Sequence, residues 1–282
     1  MNSRSKQLKS LIANKSRLIL DGAMGTELIK NPGYSSGDAS RINLTHPEIV
    51  EAVHKSYVDA GSSLIIANTF DVNPDKYEDF AEIIAAAVMN ARRANAPFVG
   101  LDIGPIGKLM YPMGLLRPEE AYSLFKAVVL EGVKNDVDFV IIETMIDENE
   151  TREALRAVKE NSDLPVIVSN SYNQRGRLLT TGARPGDMVA IANELGADAI
   201  GANCSFGPDK MLPVIEDLAS QTSLPIWAKP NAGQPEVHDG VTTYNINVDE
   251  FIENMKKIEA AGATLLGGCC GTSPEYIEAL VK

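Results

Sequence analysis

The sequence is poor in the features that mark membrane-spanning and nucleic-acid-binding proteins. Its longest apolar runs, such as residues 83–89, are far shorter than the roughly 20 residues that a membrane-spanning helix needs. Lys and Arg together number 26 against 38 for Asp and Glu, which gives a formal net charge of -12. The short apolar runs argue against a membrane span. Because the chain also has no run of Lys and Arg that could follow a phosphate backbone, we expect no nucleic-acid partner.

Cysteine is also scarce, since the chain contains only Cys204, Cys269 and Cys270. An odd and sparse set is no disulfide framework, and a reducing compartment keeps such residues as thiols. The N-terminal segment carries charges but no adjoining apolar core of a signal peptide. We therefore expect a cytoplasmic protein, in which two adjacent cysteines need a chemical explanation.

What the sequence does contain is a repeated alternation of short apolar runs and helical patterns. The runs are rich in Ile, Val and Leu and are continuous, which is typical of parallel strands that are covered on both faces. They lie at residues 18–20, 64–67, 98–103, 139–142, 166–168, 199–201, 225–228 and 264–266. Between them, stretches such as residues 48–60 repeat apolar residues at helical spacing.

Eight such strand–helix units, about one per 35 residues, predict a (β/α)8 TIM barrel of the α/β class. The alternative is a doubly wound open sheet, but no Gly-x-Gly-x-x-Gly turn opens the first unit. No linker, low-complexity segment or charge block divides the chain. Residues 1–282 are therefore predicted to form a single barrel.

The active sites of TIM barrels lie at the carboxyl ends of the strands, so the residues there are candidates. In chain order they are Asp21, Asn68, Thr69, Asp102, Glu143, Ser169, Asn170, Asn203, Cys204, Lys229, Pro230, Asn231, Gly268, Cys269 and Cys270. All three cysteines are in this set. Because only the seventh strand separates the sixth from the eighth in a closed barrel, we expect the three sulfurs to converge over its mouth.

Adjacent residues of a regular strand point to opposite faces, so Cys269 and Cys270 need a sharp turn to share one ligand. The flanking glycines permit such a turn. Three thiolates suit zinc, and three protein ligands leave a fourth position open for chemistry. Asn231 is a candidate weak fourth ligand that a substrate thiol displaces. Buried, inert thiols and a vicinal disulfide are the alternatives.

Five short motifs stand at these strand ends, in order along nearly the whole chain. They are Asp21-Gly22-Ala23-Met24-Gly25-Thr26, Asn68-Thr69-Phe70, Ile142-Glu143-Thr144, Gly201-Ala202-Asn203-Cys204 and Gly267-Gly268-Cys269-Cys270-Gly271-Thr272. Together they resemble the homocysteine S-methyltransferase family. Segments 205–208 and 229–233 look most like the homocysteine-binding module of cobalamin-dependent methionine synthase. The resemblance implies a zinc-dependent barrel that activates homocysteine and methylates it to methionine.

Homocysteine carries an ammonium and a carboxylate besides its thiol. Asp21 and Glu143 are strand-end carboxylates suited to the ammonium, and the family's residues in these motifs contact the amino acid. The turn at Gly22 and Ala23 offers backbone N–H groups to the carboxylate, and Thr26 offers a hydroxyl. The structural alternative is that Asp21 caps a turn and Glu143 pairs with a nearby Lys or Arg.

A thiol becomes a useful nucleophile as the thiolate, and binding to zinc deprotonates it. Cys204, Cys269 and Cys270 are therefore predicted to be both the metal ligands and the catalytic centre. Lys229 raises the alternative of a Schiff-base, aldolase-like enzyme, although we expect it to pack beneath the metal loop. Another alternative is a barrel that binds zinc or thiols without catalysis. Asp102 is left without a role.

The methyl donor is predicted from the methionine-synthase-like segment 231–233. It favours a methyl-corrinoid protein or methylcobalamin over S-methylmethionine, S-adenosylmethionine or betaine. We expect no folate-binding half beside the barrel, and segment 236–241 lacks the Asp and the final Gly of the corrinoid-binding motif Asp-x-His-x-x-Gly. We therefore expect cobalamin to be supplied in trans, by a protein that docks on the long loops at residues 22–45, 170–185 and 230–247.

Overall fold

The computed structural model describes residues 1–31, 34, 38–238 and 241–282, and only the backbone of residues 238 and 241. Residues 32, 33, 35–37, 239 and 240 lie outside this description. They belong to two of the predicted docking loops, and the second group includes part of segment 236–241.

Strands and helices alternate along the described residues. The strands are β1 (Leu18–Ile19), β2 (Leu64–Ile66), β3 (Phe98–Ile103), β4 (Phe139–Met145), β5 (Val166–Asn170), β6 (Ala199–Cys204), β7 (Ile226–Pro230), β8 (Pro235–His238), β9 (Val241–Tyr244) and β10 (Ala263–Leu266). The helices are α1 (Ser3–Ala13), α2 (Met24–Ile29), α3 (Ile42–Thr45), α4 (Pro47–Asp59), α5 (Phe80–Arg93), α6 (Pro118–Lys134), α7 (Glu148–Asn161), α8 (Pro185–Leu195), α9 (Pro208–Gln221), α10 (Val248–Ala260) and α11 (Pro274–Val281). In this described part of the chain, none of the helices has both the length and the apolar surface to cross a bilayer.

Eight parallel strands form one sheet in the order β1-β10-β7-β6-β5-β4-β3-β2. A parallel bridge between Leu20 and Leu64 joins its two ends. Ser63 N donates to Ile19 O at 2.8 Å across the same seam. The predicted (β/α)8 barrel is therefore confirmed. The last barrel strand is β10, because the antiparallel hairpin β8–β9 intervenes after β7.

Proline residues mark the starts of many of the helices. Pro47, Pro118, Pro185, Pro208 and Pro274 begin α4, α6, α8, α9 and α11. The fixed φ of proline suits the first helical turn, where its missing N–H would have no partner in the helix. The sequence thus specifies locally where these five helices begin.

The barrel interior is filled by large side chains set against glycines. A Cβ atom at Gly100 would lie 2.4 Å from the ring of Phe139, so only glycine leaves room for that ring. Trp227 is fully buried in the same inner cluster, and Leu8 and Ile12 of α1 extend it. Alternating large and small inward residues is how a narrow barrel is filled. The interior is consequently solid below the carboxyl ends of the strands.

Two of the three predicted docking loops contain regular structure. Segment 22–45 holds α2 and α3, and segment 230–247 holds the β8–β9 hairpin. The prediction of irregular loops is wrong for these two segments, because short helices and a hairpin satisfy backbone groups that a long irregular loop would leave to water.

Candidate active site

The three cysteines converge at the carboxyl-terminal mouth of the barrel. Cys204 is the last residue of β6, whereas Cys269 and Cys270 follow β10. Their Sγ atoms all lie within 4.8 Å of one another, which confirms the predicted convergence. All three are free in this structure, which favours separate thiols over the alternative of a vicinal disulfide.

Left-handed backbone turns aim these sulfurs. Cys204 and Ser205 have φ angles of 58° and 62°, a region that costs free energy for residues with a Cβ atom. Gly271 has a φ of 82°, and a Cβ atom there would lie 2.3 Å from the ring of Tyr244. The glycines beside the cysteine pair are the sequence signal for the turn at Gly271. The second turn, at Cys204, has no glycine and no signal in the sequence.

Close packing of three thiols raises their pKa values. Hydrogen bonding to Cys269 raises the pKa of Cys204 to about 12, and hydrogen bonding to Cys204 raises that of Cys270 to about 11. Contact with Cys204 alone would lower the pKa of Cys269, but Cys270 and burial outweigh it and raise that pKa. Three thiolates at this separation repel one another, so a cation would relieve the cost of ionising them.

Asn231 lies next to the cysteine pair. Cys269 N donates to Pro230 O at 2.7 Å, and Ala232 N donates to Cys270 O at 2.9 Å. Asn231 is 4% exposed, and its Oδ1 atom has no hydrogen-bond partner among the described residues. An unpartnered buried amide oxygen is costly, so this atom is available to a donor or a cation.

A cavity of about 390 Å³ opens at the three cysteines, all of which line it. Every substrate-binding residue predicted from the sequence also lines it, namely Asp21, Gly22, Ala23, Thr26 and Glu143. Phe70 and Met24 add apolar wall. The structure therefore brings the predicted sulfur cluster and the predicted amino-acid contacts into one cavity.

Lys229 extends into this cavity rather than packing beneath the metal loop. Its Nζ atom lies 3.2 Å from Asp21 Oδ1 and 3.9 Å from Glu143 Oε2, and all three side chains are almost fully buried. The nearer contact is an ion pair, and no donor among the described residues is aligned for a hydrogen bond to Asp21 Oδ1. Glu143 thus does lie near a lysine, as the structural alternative expected, but the lysine is closer to Asp21.

Burial and charge oppose each other in this group. Burial raises the pKa values of Asp21 and Glu143, and the nearby Lys229 ammonium offsets part of that rise. Burial alone would lower the pKa of Lys229, but the two carboxylates outweigh it and raise that pKa above its ordinary value. A lysine held protonated in this way is a poor Schiff-base nucleophile, which argues against an aldolase-like reaction.

Asp102 is a cavity residue to which the sequence analysis gave no role. It is 6% exposed, and its Oδ1 atom has no hydrogen-bond partner in the described structure. Burial and the neighbouring Glu143 raise its pKa well above the ordinary range, which favours a neutral carboxyl group. Its position two residues after the inward-facing Gly100 of β3 is the signal that places it in the barrel interior.

Tyr244 is a second residue that the sequence analysis missed. It ends β9, its ring lies against Gly271, and burial and the Cys270 thiol raise the pKa of its phenol above the ordinary value. The β8–β9 hairpin therefore covers the cysteine pair from outside the barrel. No local pattern marks this residue, because its contact depends on where the hairpin folds back.

The start of α2 is tied to the cysteine turn. Ala23 N donates to Thr272 Oγ1 at 3.2 Å, and Thr26 Oγ1 accepts from Gly271 N at 3.1 Å. The N–H of Ala23 is thus already engaged, whereas the Thr26 hydroxyl retains a proton to donate. The first turn of a helix also has N–H groups without partners in the helix, and Gly25 of this turn lines the cavity.

Two curated methionine synthases are similar in sequence to this chain. Methionine synthase from Mycobacterium leprae (strain TN) is 28% identical over 286 residues, covering 92% of this chain and 24% of that protein. Methionine synthase from Mycobacterium tuberculosis (strain ATCC 25618 / H37Rv) is 27% identical over 290 residues, with the same two shares. The chain thus spans about a quarter of the length of these curated relatives.

The fold has counterparts among solved structures. The crystal structure of the homocysteine methyltransferase MmuM from Escherichia coli, in its metallated form, matches with a TM-score of 0.81 at 22% identity, covering 97% of this chain and 98% of that one. The family model described as homocysteine S-methyltransferase matches residues 18–282, which include every cavity residue named above. The chain belongs to the homocysteine S-methyltransferase family.

Proposed function

We propose that this barrel catalyses the transfer of a methyl group to the sulfur of homocysteine, which yields methionine. One observation carries the proposal: a cluster of three cysteine sulfurs and a group of buried carboxyl groups line the same cavity of about 390 Å³. Such a cavity is in the size range of small-molecule sites. Homocysteine needs both the sulfur cluster and the carboxyl groups, because its reactive thiol and its ammonium lie at opposite ends of one short molecule.

The charge of the cavity supports recognition of an ammonium. Asp21, Asp102 and Glu143 face a single cation, Lys229. Even if Asp102 is neutral, the two carboxylates of Asp21 and Glu143 outnumber the one ammonium of Lys229. An ammonium bound between Asp21 and Glu143 supplies the missing cation and lowers the pKa values that burial has raised.

The opposite wall supports recognition of the carboxylate. The hydroxyl of Thr26 can donate while its oxygen accepts from Gly271 N. Met24, Gly25 and Thr26 of the first turn of α2 line the cavity, and the N–H groups of a first helical turn have no partners within the helix. Gly22 and Ala23 shape this wall. A Cβ atom at Gly22 would lie 2.7 Å from the ring of Tyr57, so the chain can pass there only as glycine.

Cys204, Cys269 and Cys270 fit zinc by donor type and by proximity. We assign them as the metal ligands, with Asn231 as a weak fourth ligand because its buried oxygen lacks a donor. Zinc held there would lower the pKa of the substrate thiol and keep its sulfur nucleophilic at neutral pH.

The donor in this proposal is a methyl-corrinoid carried outside the barrel, or free methylcobalamin. The support is the similarity to methionine synthases over 92% of this chain and the position of the cysteine cluster at the open mouth, where a bulky donor can approach. We also propose a cytoplasmic location, where a reducing environment keeps the three cysteines as thiols.

The test is methionine formation by the zinc-loaded protein. Homocysteine is offered with a methylated corrinoid protein, methylcobalamin, S-methylmethionine, S-adenosylmethionine or betaine in parallel. We expect turnover with a cobalamin donor. Fast turnover with a sulfonium donor or betaine, and none with either cobalamin form, would overturn the donor. Zinc and homocysteine binding without turnover on any donor would favour a non-catalytic binding barrel instead.

A further inference from the structure

A second cavity, of about 520 Å³, lies on the far side of the turn that follows β6. Phe206 lines it, whereas Cys204, two residues earlier, lines the cavity of the cysteine cluster. Its remaining walls come from the segment after β5 and from one face of α9. The two cavities therefore share the Cys204 turn and open at the same end of the barrel.

Positive charge dominates the lining of this second cavity. Arg175, Arg177, Arg184 and Lys210 line it together with a single carboxylate, Asp217. The protein as a whole carries a net charge of -12, so a local excess of cations is unusual for this surface. The cavity of the cysteine cluster shows the opposite balance, with three carboxyl groups and one lysine.

These four cations lack acidic partners. Within the described part of the chain, none of them forms an ion pair, whereas Arg152 nearby holds Glu194 through two hydrogen bonds of 2.7 and 2.9 Å. Asp217 accepts from Gln221 at 2.8 Å instead of from one of the four. Like charges gathered without counterions repel, which makes the pocket favourable for an anion.

The turn that carries two of the arginines is well ordered by hydrogen bonds. Asn173 Oδ1 accepts from Arg175 N at 2.9 Å, and Asn173 N donates to Arg177 O at 2.8 Å. Arg177 Nη1 donates to Gly182 O at 3.1 Å, which fixes that guanidinium at the cavity wall. Gly176 takes the left-handed conformation at the tip, with a φ of 64°. A ligand would therefore meet an ordered backbone turn and one guanidinium that is already fixed.

The rest of the lining is apolar. Phe206, Pro213, Val214 and Pro185 contribute to the walls beside the cations. A site with cations on one part of its wall and apolar side chains on the rest suits a molecule that carries its charge at one end of an apolar or aromatic body. Guanidinium groups bind phosphate through paired hydrogen bonds, and the volume is within the range of small-molecule sites.

We propose that this pocket is a second ligand site, which takes a small phosphorylated molecule with two or more negative charges on an apolar or aromatic body. The site is separate from the cavity of the cysteine cluster. It stands whether or not that cavity binds homocysteine. Because both sites share the Cys204 turn, a ligand here contacts the segment that positions one of the clustered sulfurs.

The test is isothermal titration of the full chain with pyrophosphate, adenosine diphosphate and citrate at low ionic strength. We expect one saturable site per chain for pyrophosphate and tighter binding of adenosine diphosphate, whose ring contacts the apolar wall. Arg175→Ala/Lys210→Ala should weaken both at least tenfold. Lys6→Ala/Lys256→Ala removes the same charge from exposed helix positions elsewhere and should have little effect.

Three results would overturn the proposal: no saturable binding, citrate binding as tight as that of pyrophosphate, or equal weakening in the two double variants. Hydrogen exchange gives an independent readout, since bound ligand should slow exchange in residues 173–184 and at the start of α9. Zinc content and homocysteine affinity, measured on the same variants, should not change. Failure of this site is thereby distinguishable from failure of the proposed methyl transfer.

Discussion

Asn203 on β6 holds Thr144 on β4 through two hydrogen bonds, although the two residues lie 59 positions apart. Thr144 N donates to Asn203 Oδ1 at 2.8 Å, and Asn203 Nδ2 donates to Thr144 Oγ1 at 2.7 Å. Thr144 has a left-handed φ of 60° and directly follows Glu143, while Asn203 directly precedes Cys204. One fully buried amide thus links the carboxylate end of the cavity to the sulfur end.

Replacing Asn203 should affect both ends of the cavity. Asn203→Ala leaves Thr144 N and Ser169 Oγ without their shared acceptor. We therefore expect the free energy of unfolding, measured in urea, to fall by about 3 kcal/mol. Ser169→Ala is the matched control, because it removes one hydrogen bond and leaves both contacts to Thr144. It should cost about 1 kcal/mol. Equal losses in the two variants would show that the Thr144 contact is not important.

The cysteine cluster should hold one zinc ion per chain. Because Cys204, Cys269 and Cys270 are the proposed ligands, changing any one to Ser should remove most of the metal and the methyl transfer. The fold should persist, since the barrel core lies below the cluster. Metal analysis and circular dichroism measure the two effects. Full zinc occupancy in Cys204→Ala/Cys269→Ala would refute the assignment.

Recognition of the ammonium should depend on Glu143. Glu143→Gln keeps the shape but removes a charge-assisted contact, which is worth on the order of 1.5–3 kcal/mol. Homocysteine binding should therefore weaken on the order of 10- to 100-fold while zinc content stays unchanged. Asp21→Asn should act in the same direction and also release Lys229. Unchanged homocysteine affinity in a calorimetric titration, as expected for the exposed control Glu120→Gln, would return Glu143 to a structural role.

Glu150 should make the stability of the protein depend on pH. This residue of α7 is 3% exposed, its Oε1 accepts from Ile106 N at 2.7 Å, and burial raises its pKa to about 7. Since the folded pKa lies above the unfolded value, its contribution is fully present below about pH 4 and is lost as pH rises to about 7. Ionisation of Glu150 therefore lowers the free energy of unfolding as the pH rises above about 7.

Glu150→Gln tests this dependence because the amide oxygen can still accept from Ile106 N without carrying a charge. The variant should be more stable than the parent by about 3 kcal/mol at pH 8 and by little at pH 4.5. Urea unfolding at the two pH values measures the difference. The exposed Glu216→Gln should show no such trend, and a parallel trend in both variants would exclude Glu150 as the cause.

Local patterns were sufficient for the barrel and for the sulfur cluster. Continuous apolar runs predict buried parallel strands, and the carboxyl ends of those strands are where Cys204, Cys269 and Cys270 stand. The same argument placed Asp21 and Glu143 in the cavity. It failed for the segments at residues 22–45 and 230–247, where apolar runs are short and α2, α3 and the β8–β9 hairpin depend on what they pack against.

The sequence by itself determined the eight-stranded barrel and which residue types stand at its mouth, because strand period and helix starts are properties of neighbouring residues. Only the tertiary structure decided that Lys229 reaches Asp21 and that Asp102 lies near Glu143. It also decided that four cations without ion pairs among the described residues meet in a second cavity. Those relations join residues far apart in the chain. Barrel closure sets the distances between them, and burial then sets their charges.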